Sequence, residues 1–145
     1  MSTALPEAPR RRASPTVMLI EPEPMLRLTM TEFLHRAGCH VTACPDAKTA
    51  AEALVKGTVR PLLILLGTRL LDAQAAEAAR ELRELARGSA ILGIADVIDP
   101  AANAGLPSDL RFLAPPFDLP DVLRAVRSHL RQAGCILPDS ELLEA

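Results

Sequence analysis

Large aromatic side chains are almost missing from this chain of 145 residues: it has no tryptophan or tyrosine, and Phe33, Phe112 and Phe117 are its only phenylalanines. With 49% of its residues hydrophobic, the chain can still bury one domain-sized core, but that core must be packed from aliphatic side chains and alanine. A positive excess is missing too. The formal net charge is -2, whereas sequence-independent nucleic-acid binding needs a clustered basic surface to displace counterions from phosphates. Arg10, Arg11 and Arg12 form the one basic cluster, and with Pro6, Pro9 and Pro15 around them residues 1–15 read as a solvated, disordered leader. No apolar run approaches the ~20 residues that span a membrane. The leader also has no apolar stretch between its arginines and the Val17 strand, so neither a membrane partner nor a signal peptide is expected. The expected compartment is the cytoplasm. Cys39, Cys44 and Cys135 are odd in number and widely spaced, a poor disulfide framework that suits reducing surroundings.

What the chain does have is a regular alternation of short apolar runs and helical patterns. Val17 to Ile20 is a continuous run cut off by Glu21-Pro22-Glu23-Pro24, as in a strand buried on both faces. Pro24 fits the first turn of a helix whose Leu26, Met30, Phe33 and Ala37 share one side, and Gly38 stops it. His40 to Cys44 reads as a second strand. Asp46 then caps a helix with Ala47, Ala50, Ala51 and Leu54 turned inward, ended by Gly57. Leu62 to Leu66 is the most hydrophobic segment and predicts the central strand. Asp72 caps an alanine-rich helix with Ala75, Ala78, Ala79, Leu82 and Leu85 as its packed stripe. Ala90 to Ala95 and Arg111 to Ala114 read as two more strands. Asp118 caps a last helix with Leu119, Val122, Leu123, Val126 and Leu130 on one face. Between residues 96 and 109, Pro100, Gly105 and Pro107 leave room for about two helical turns.

Strands alternating with helices predict an α/β fold with a parallel sheet and helices on both faces. In such folds the chemistry lies beyond the carboxyl ends of the strands. The residues to inspect are therefore Glu21, Pro22, Gly67, Thr68, Ala95 and Pro115. His35, Cys39, His40 and Cys44 match no standard zinc spacing, so no metal is expected there. No glycine-rich phosphate loop and no pairing of a nucleophile with a base occurs, so no enzyme and no cofactor is expected.

Three segments carry a resemblance: VMLIEPEPML over Val17–Leu26, PLLILLGTRLL over Pro61–Leu71, and FLAPPFDL over Phe112–Leu119. In this order they resemble the first strand, third strand and fifth strand of the receiver domain of two-component response regulators, over about Thr16 to Gly134. Residues 135–145 remain as a short tail. The resemblance implies a flavodoxin-like, doubly wound sheet of five parallel strands in the order 2-1-3-4-5. It also implies a phosphorylation site: an acidic pair holding magnesium, an acceptor aspartate, a hydroxyl residue and a lysine, since phosphoryl transfer is mostly charge neutralisation and positioning.

At the matching positions this chain departs from the family at almost every step. The acidic pair is Glu21-Pro22, the acceptor position is Gly67, the hydroxyl position is Ala95 and the lysine position is Pro115. Thr68, beside the acceptor position, is expected to point away from it; Asp72 reads as a helix cap and Asp96 as a loop residue. The remaining pocket is nearly neutral, with no phosphoacceptor and no catalytic residue. Phe112 matches the family's switch aromatic, and Pro115-Pro116 a peptide bond that is cis in the family. The expected function is that of a pseudo-receiver that acts without phosphorylation by binding a partner: a histidine kinase, a receiver, a transcription complex or a second copy of itself. The resemblance places the interface on the last helix and its neighbours, where Arg124, Arg127 and Arg131 stand. The alternative expectation is a sensor that takes a small ligand into the space vacated at Gly67.

Overall fold

The computed structural model describes residues 14–99, 101, 106, 110–113 and 118–137. The element order is β1 (Thr16–Ile20), α1 (Pro24–Arg36), β2 (His40–Cys44), α2 (Ala47–Lys56), β3 (Leu63–Leu71), α3 (Ala73–Leu85), β4 (Ala90–Ile98), β5 (Arg111–Leu113) and α4 (Leu119–Gln132). The helix starts follow the caps that the sequence offers. Asp46, Asp72 and Asp118 each accept a backbone N–H from three residues on, at 2.8, 3.0 and 2.9 Å. Asp118 does so in a capping box, with its own N–H donating to the Asp121 carboxylate at 3.0 Å. Glu23 caps α1, with Pro24 as its first residue. Gly57 closes α2 in the left-handed region at φ 73, which a side chain at that position would resist. At the far end of α3, Arg83 Nη1 donates to the Ser89 carbonyl at 2.7 Å and so satisfies chain leaving the helix.

β1, β2, β3 and β4 run parallel in the order 2-1-3-4, and the three-residue β5 pairs parallel along the outer edge of β4. Strand alternation divides the core into two layers. Val17, Leu19, Leu63, Leu65, Leu92 and Ile94 meet Met30 and Leu34 of α1 and Val122, Leu123, Val126 and Leu130 of α4. Met18, Ile20, Ile64, Leu66 and Ile91 meet Ala50 of α2 and Ala79 and Leu82 of α3. Helices therefore cover both faces. Each fully buried aliphatic side chain contributes about 1.5–3 kcal/mol, which lets the core do without large rings.

The last helix buries the stripe read from its spacing; two others rotate from it. In α1, Leu34 is buried while Leu26 is 43% exposed. In α3 the stripe is Ala76, Ala79 and Leu82, with Ala75 and Ala78 half-buried at its edge and Leu85 turned outward. Alanine-rich helices carry little periodic contrast, so neighbouring alanines compete for the inward position. The packed unit also extends a little past residues 16–134: the Pro15 carbonyl accepts the His40 N–H at 2.8 Å, and Leu137 is buried in the core.

The largest departure lies in the two central strands. β3 runs on to Leu71 and β4 to Ile98, beyond the last pairing of β1 at Leu66 and of β5 at Ile94. In this extension Gly67 pairs with Ile94, Thr68 with Ala95, Leu70 with Val97 and Leu71 with Ile98. Gly67 and Thr68 therefore sit within β3 rather than just after it, Ala95 lies inside β4 rather than at its end, and Asp96 is a strand residue rather than a loop residue. Thr68, Leu70, Val97 and Ile98 are aliphatic or β-branched residue types, which favours continued pairing. The short helix expected before Asp109 and the Pro115-Pro116 bond lie outside the described residues.

Candidate functional site

Glu21 follows β1 directly, and the register that pairs Ile20 with Leu66 sets it alongside Gly67. Both residues lie over the layer covered by α1 and α4, because Leu19 and Leu65, two residues earlier in each strand, belong to it. Glu21 is only 7% exposed. Its Oε2 accepts the Glu23 N–H at 3.0 Å, and Arg27 Nη1 donates to its backbone carbonyl at 2.8 Å. The turn is thus tied to the start of α1 by side chain and backbone together.

The space at Gly67 is already taken. A Cβ there would run into Glu21 Oε1 and stand 2.9 Å from the Ile20 carbonyl oxygen. Gly67 is not among the glycines with positive φ, so the demand for glycine is steric, a close approach by a neighbouring group. The room expected beside Gly67 for a small ligand is therefore filled by the carboxylate of Glu21, a correction to that reading.

The other sequence candidates separate. Thr68 and Ala95 are Cα partners and, by alternation, lie over the opposite layer from Glu21 and Gly67. Ala95 is buried and Thr68 half-buried. Pro22 is exposed. Phe112 is in β5 opposite Gly93, and Pro115 lies outside the described residues. On α4, Arg124 pairs with the Asp121 carboxylate at 3.0 Å, and it and Arg131 are exposed while Arg127 is half-buried.

Arg27 is the residue that the sequence reading passed over. Its position in the first turn of α1 is an ordinary helix-surface pattern, and only the fold brings it back onto the Glu21 carbonyl. It also influences Cys44, buried at the end of β2: burial pushes that thiol up, the Asp46 carboxylate adds to the rise, and Arg27 opposes it. Among the described residues the mouth therefore brings together the Glu21 carboxylate, the Arg27 guanidinium and the Cys44 thiol, held above its ordinary value.

A receiver site would use magnesium here, and these residues do not fit the ion. Pro22 offers no side-chain ligand, Gly67 offers none, and the Glu21 carboxylate already receives a backbone N–H and packs over Gly67. Magnesium demands octahedral oxygen ligation and yields its waters reluctantly, so a single engaged carboxylate gives it little hold. Among the described residues no group of three or more His, Cys, Asp or Glu side chains is placed to hold a metal. His35 and His40 are exposed while Cys39 and Cys44 are buried, so that cluster diverges.

The backbone as a whole has clear counterparts. A response regulator receiver protein from Sinorhizobium medicae WSM419 matches with a TM-score of 0.68 and 24% identity, over 81% of this chain and 95% of that one. A CheY-like response regulator receiver domain protein from Methanospirillum hungatei JF-1 matches with a TM-score of 0.71 and 15% identity, over 84% and 98%. The fold is that of a response-regulator receiver domain. A response regulator from Thermotoga maritima agrees, with a TM-score of 0.66 and 16% identity over 82% of this chain and 99% of that one. No protein family matches the chain by sequence, and no curated protein does. Among the described residues no helix is long and apolar enough to cross a membrane.

Proposed function

We propose that this chain is a pseudo-receiver that works without phosphorylation, as a protein–protein interaction module in two-component-type signalling or transcriptional regulation, with no catalytic activity of its own. The observation that carries the reading is the Glu21 carboxylate lying where a side chain at position 67 would begin. Phosphoryl transfer needs an acceptor oxygen in line with the phosphate and cations around it. Here the acceptor position has no side chain, and the group beside it is an anion that would repel the phosphate. Glu23, capping α1 through its carboxylate, adds a second negative charge to the same turn.

The partner under this reading is a signalling protein: a histidine kinase, another receiver, a transcription complex or a second copy. Arg124, Arg127 and Arg131 on α4 supply a cationic stripe for an acidic surface. Incubation with acetyl phosphate, or with beryllofluoride and magnesium, is expected to leave the mass and the amide resonances around Gly67 unchanged. A stable gain in mass, or resonance shifts centred on Gly67, would overturn the reading. For the interface, capture of partners by the wild type is compared with capture by a variant reversing the charge of the three arginines. Reduced capture supports a site on α4, and undiminished capture removes it from there.

A further inference from the structure

The cleft between α2 and α3 plays no part in the site above. Most of what these helices bury toward the sheet is small: Ala50 in α2, and Ala76 and Ala79 beside Leu82 in α3. Helices usually pack 8–10 Å apart, a separation that alanine methyl groups bridge poorly. What remains is an open groove of about 520 Å³ lined by Ala51, Val55 and Leu85, with Lys48, Glu52, Lys56 and Glu81 as its charged side chains. Val55 is 69% exposed and Leu85 37%. Apolar side chains left in water beside a vacant groove are the pattern of a surface that is covered in use.

These charges decide what covers it. A uniformly acidic or basic partner would gain at some of these charges and lose at others. A surface that carries both signs can answer both, and this chain carries one. Two α2 helices packed antiparallel about a two-fold axis at Leu54 set Glu52 of each copy opposite Lys56 of the other. The same arrangement brings each Val55 toward the other copy's groove. We infer that the α2–α3 groove is the seat of an isologous dimer, with Val55 as its apolar anchor and two reciprocal Glu52–Lys56 pairs beside it. A formal net charge of -2 per chain leaves little long-range repulsion to oppose the association. This face lies on the opposite layer of the sheet from α4, so the inference is independent of the arginine stripe and of the chemistry at Gly67.

Sedimentation velocity of the full chain over a concentration series tests it. The wild type is expected to show a monomer–dimer equilibrium, and Val55→Asp to raise the dissociation constant by about tenfold or more. Glu52→Lys and Lys56→Glu are each expected to weaken the dimer, and the double variant to regain it, because the swap restores opposite charges across the axis. All three positions line an open groove, and circular dichroism confirms that each variant is folded. A wild type that stays monomeric throughout, a Val55→Asp variant that associates like the wild type, or a charge swap without regain would each overturn the proposal. Loss of the dimer on reversing Arg124, Arg127 and Arg131 instead would assign association to α4 and overturn it as well.

Discussion

Replacing Gly67 with alanine adds one methyl group and tests the relation on which the site rests. The new Cβ would meet the Ile20 carbonyl at 2.9 Å and overlap Glu21 Oε1. The carbonyl belongs to β1, which is paired on both sides, so it has little freedom to retreat. The carboxylate must therefore move, and in moving it gives up the Glu23 N–H that it accepts at 3.0 Å. Overpacking costs about 1–3 kcal/mol, and losing a hydrogen bond to a charged group about 1.5–3 kcal/mol. Because one movement causes both losses they overlap, and removing glycine's extra freedom in the unfolded chain returns about 0.4–1 kcal/mol. The expected loss is about 2–4 kcal/mol, read from urea unfolding as a lower midpoint at unchanged slope. Glu21→Ala supplies the control, since without the carboxylate only the clash with Ile20 remains. The double variant should then be more stable than the sum of the two single changes by about 1 kcal/mol or more. Additive effects, or a Gly67→Ala protein as stable as the wild type, would refute the reasoning.

Asp118→Ala removes one half of the capping box and should lower stability by about 1 kcal/mol. Asp118→Asn, which keeps an acceptor oxygen, should cost less in the same urea titration. Asp46 is held below the ordinary carboxylate range chiefly by the Thr49 backbone N–H. A carboxyl whose folded value is lowered stabilises the fold above its unfolded value, near pH 4, and loses that contribution as pH falls through the folded value. Wild type should therefore lose more stability than Asp46→Asn on acidification below about pH 4, and parallel curves would contradict the assignment. Burial pushes the Cys39 thiol up to about 11, so a thiol reagent at neutral pH should label half-buried Cys135 ahead of it. Labelling of Cys39 at the same rate in the native protein would show that the site is open.

Much of the fold was legible because caps and strands announce themselves locally. Asp46, Asp72 and Asp118 cap where their spacing placed them, and the continuous apolar runs became strands buried on both faces. Glycine obscured the central strands. Gly67 reads as a break after Leu66, although in the fold it is a strand residue whose bareness admits the neighbouring carboxylate. That contact joins residues far apart in sequence, so no local pattern could report it. The groove between α2 and α3 was hidden for a similar reason: alanine serves equally at an inward position and beside a cleft, and only the helix separation distinguishes them.

Read along the chain, Glu21 is the survivor of a lost acidic pair and Gly67 an unrelated loss. Set beside one another in the sheet, they form a single packing unit. The carboxylate fits because position 67 has no side chain, and the absence leaves no hole because the carboxylate lies over it. Leaving a methyl-sized void at a core edge costs about 1 kcal/mol, and an unsatisfied buried carboxylate costs more; the arrangement avoids both. Restoring an aspartate at position 67 alone would then force two acids into the space of one, beside a backbone carbonyl that cannot withdraw. Gly67→Asp is therefore expected to be less stable than Gly67→Ala and still unable to hold a phosphoryl group, because the Glu21 carboxylate obstructs the new side chain.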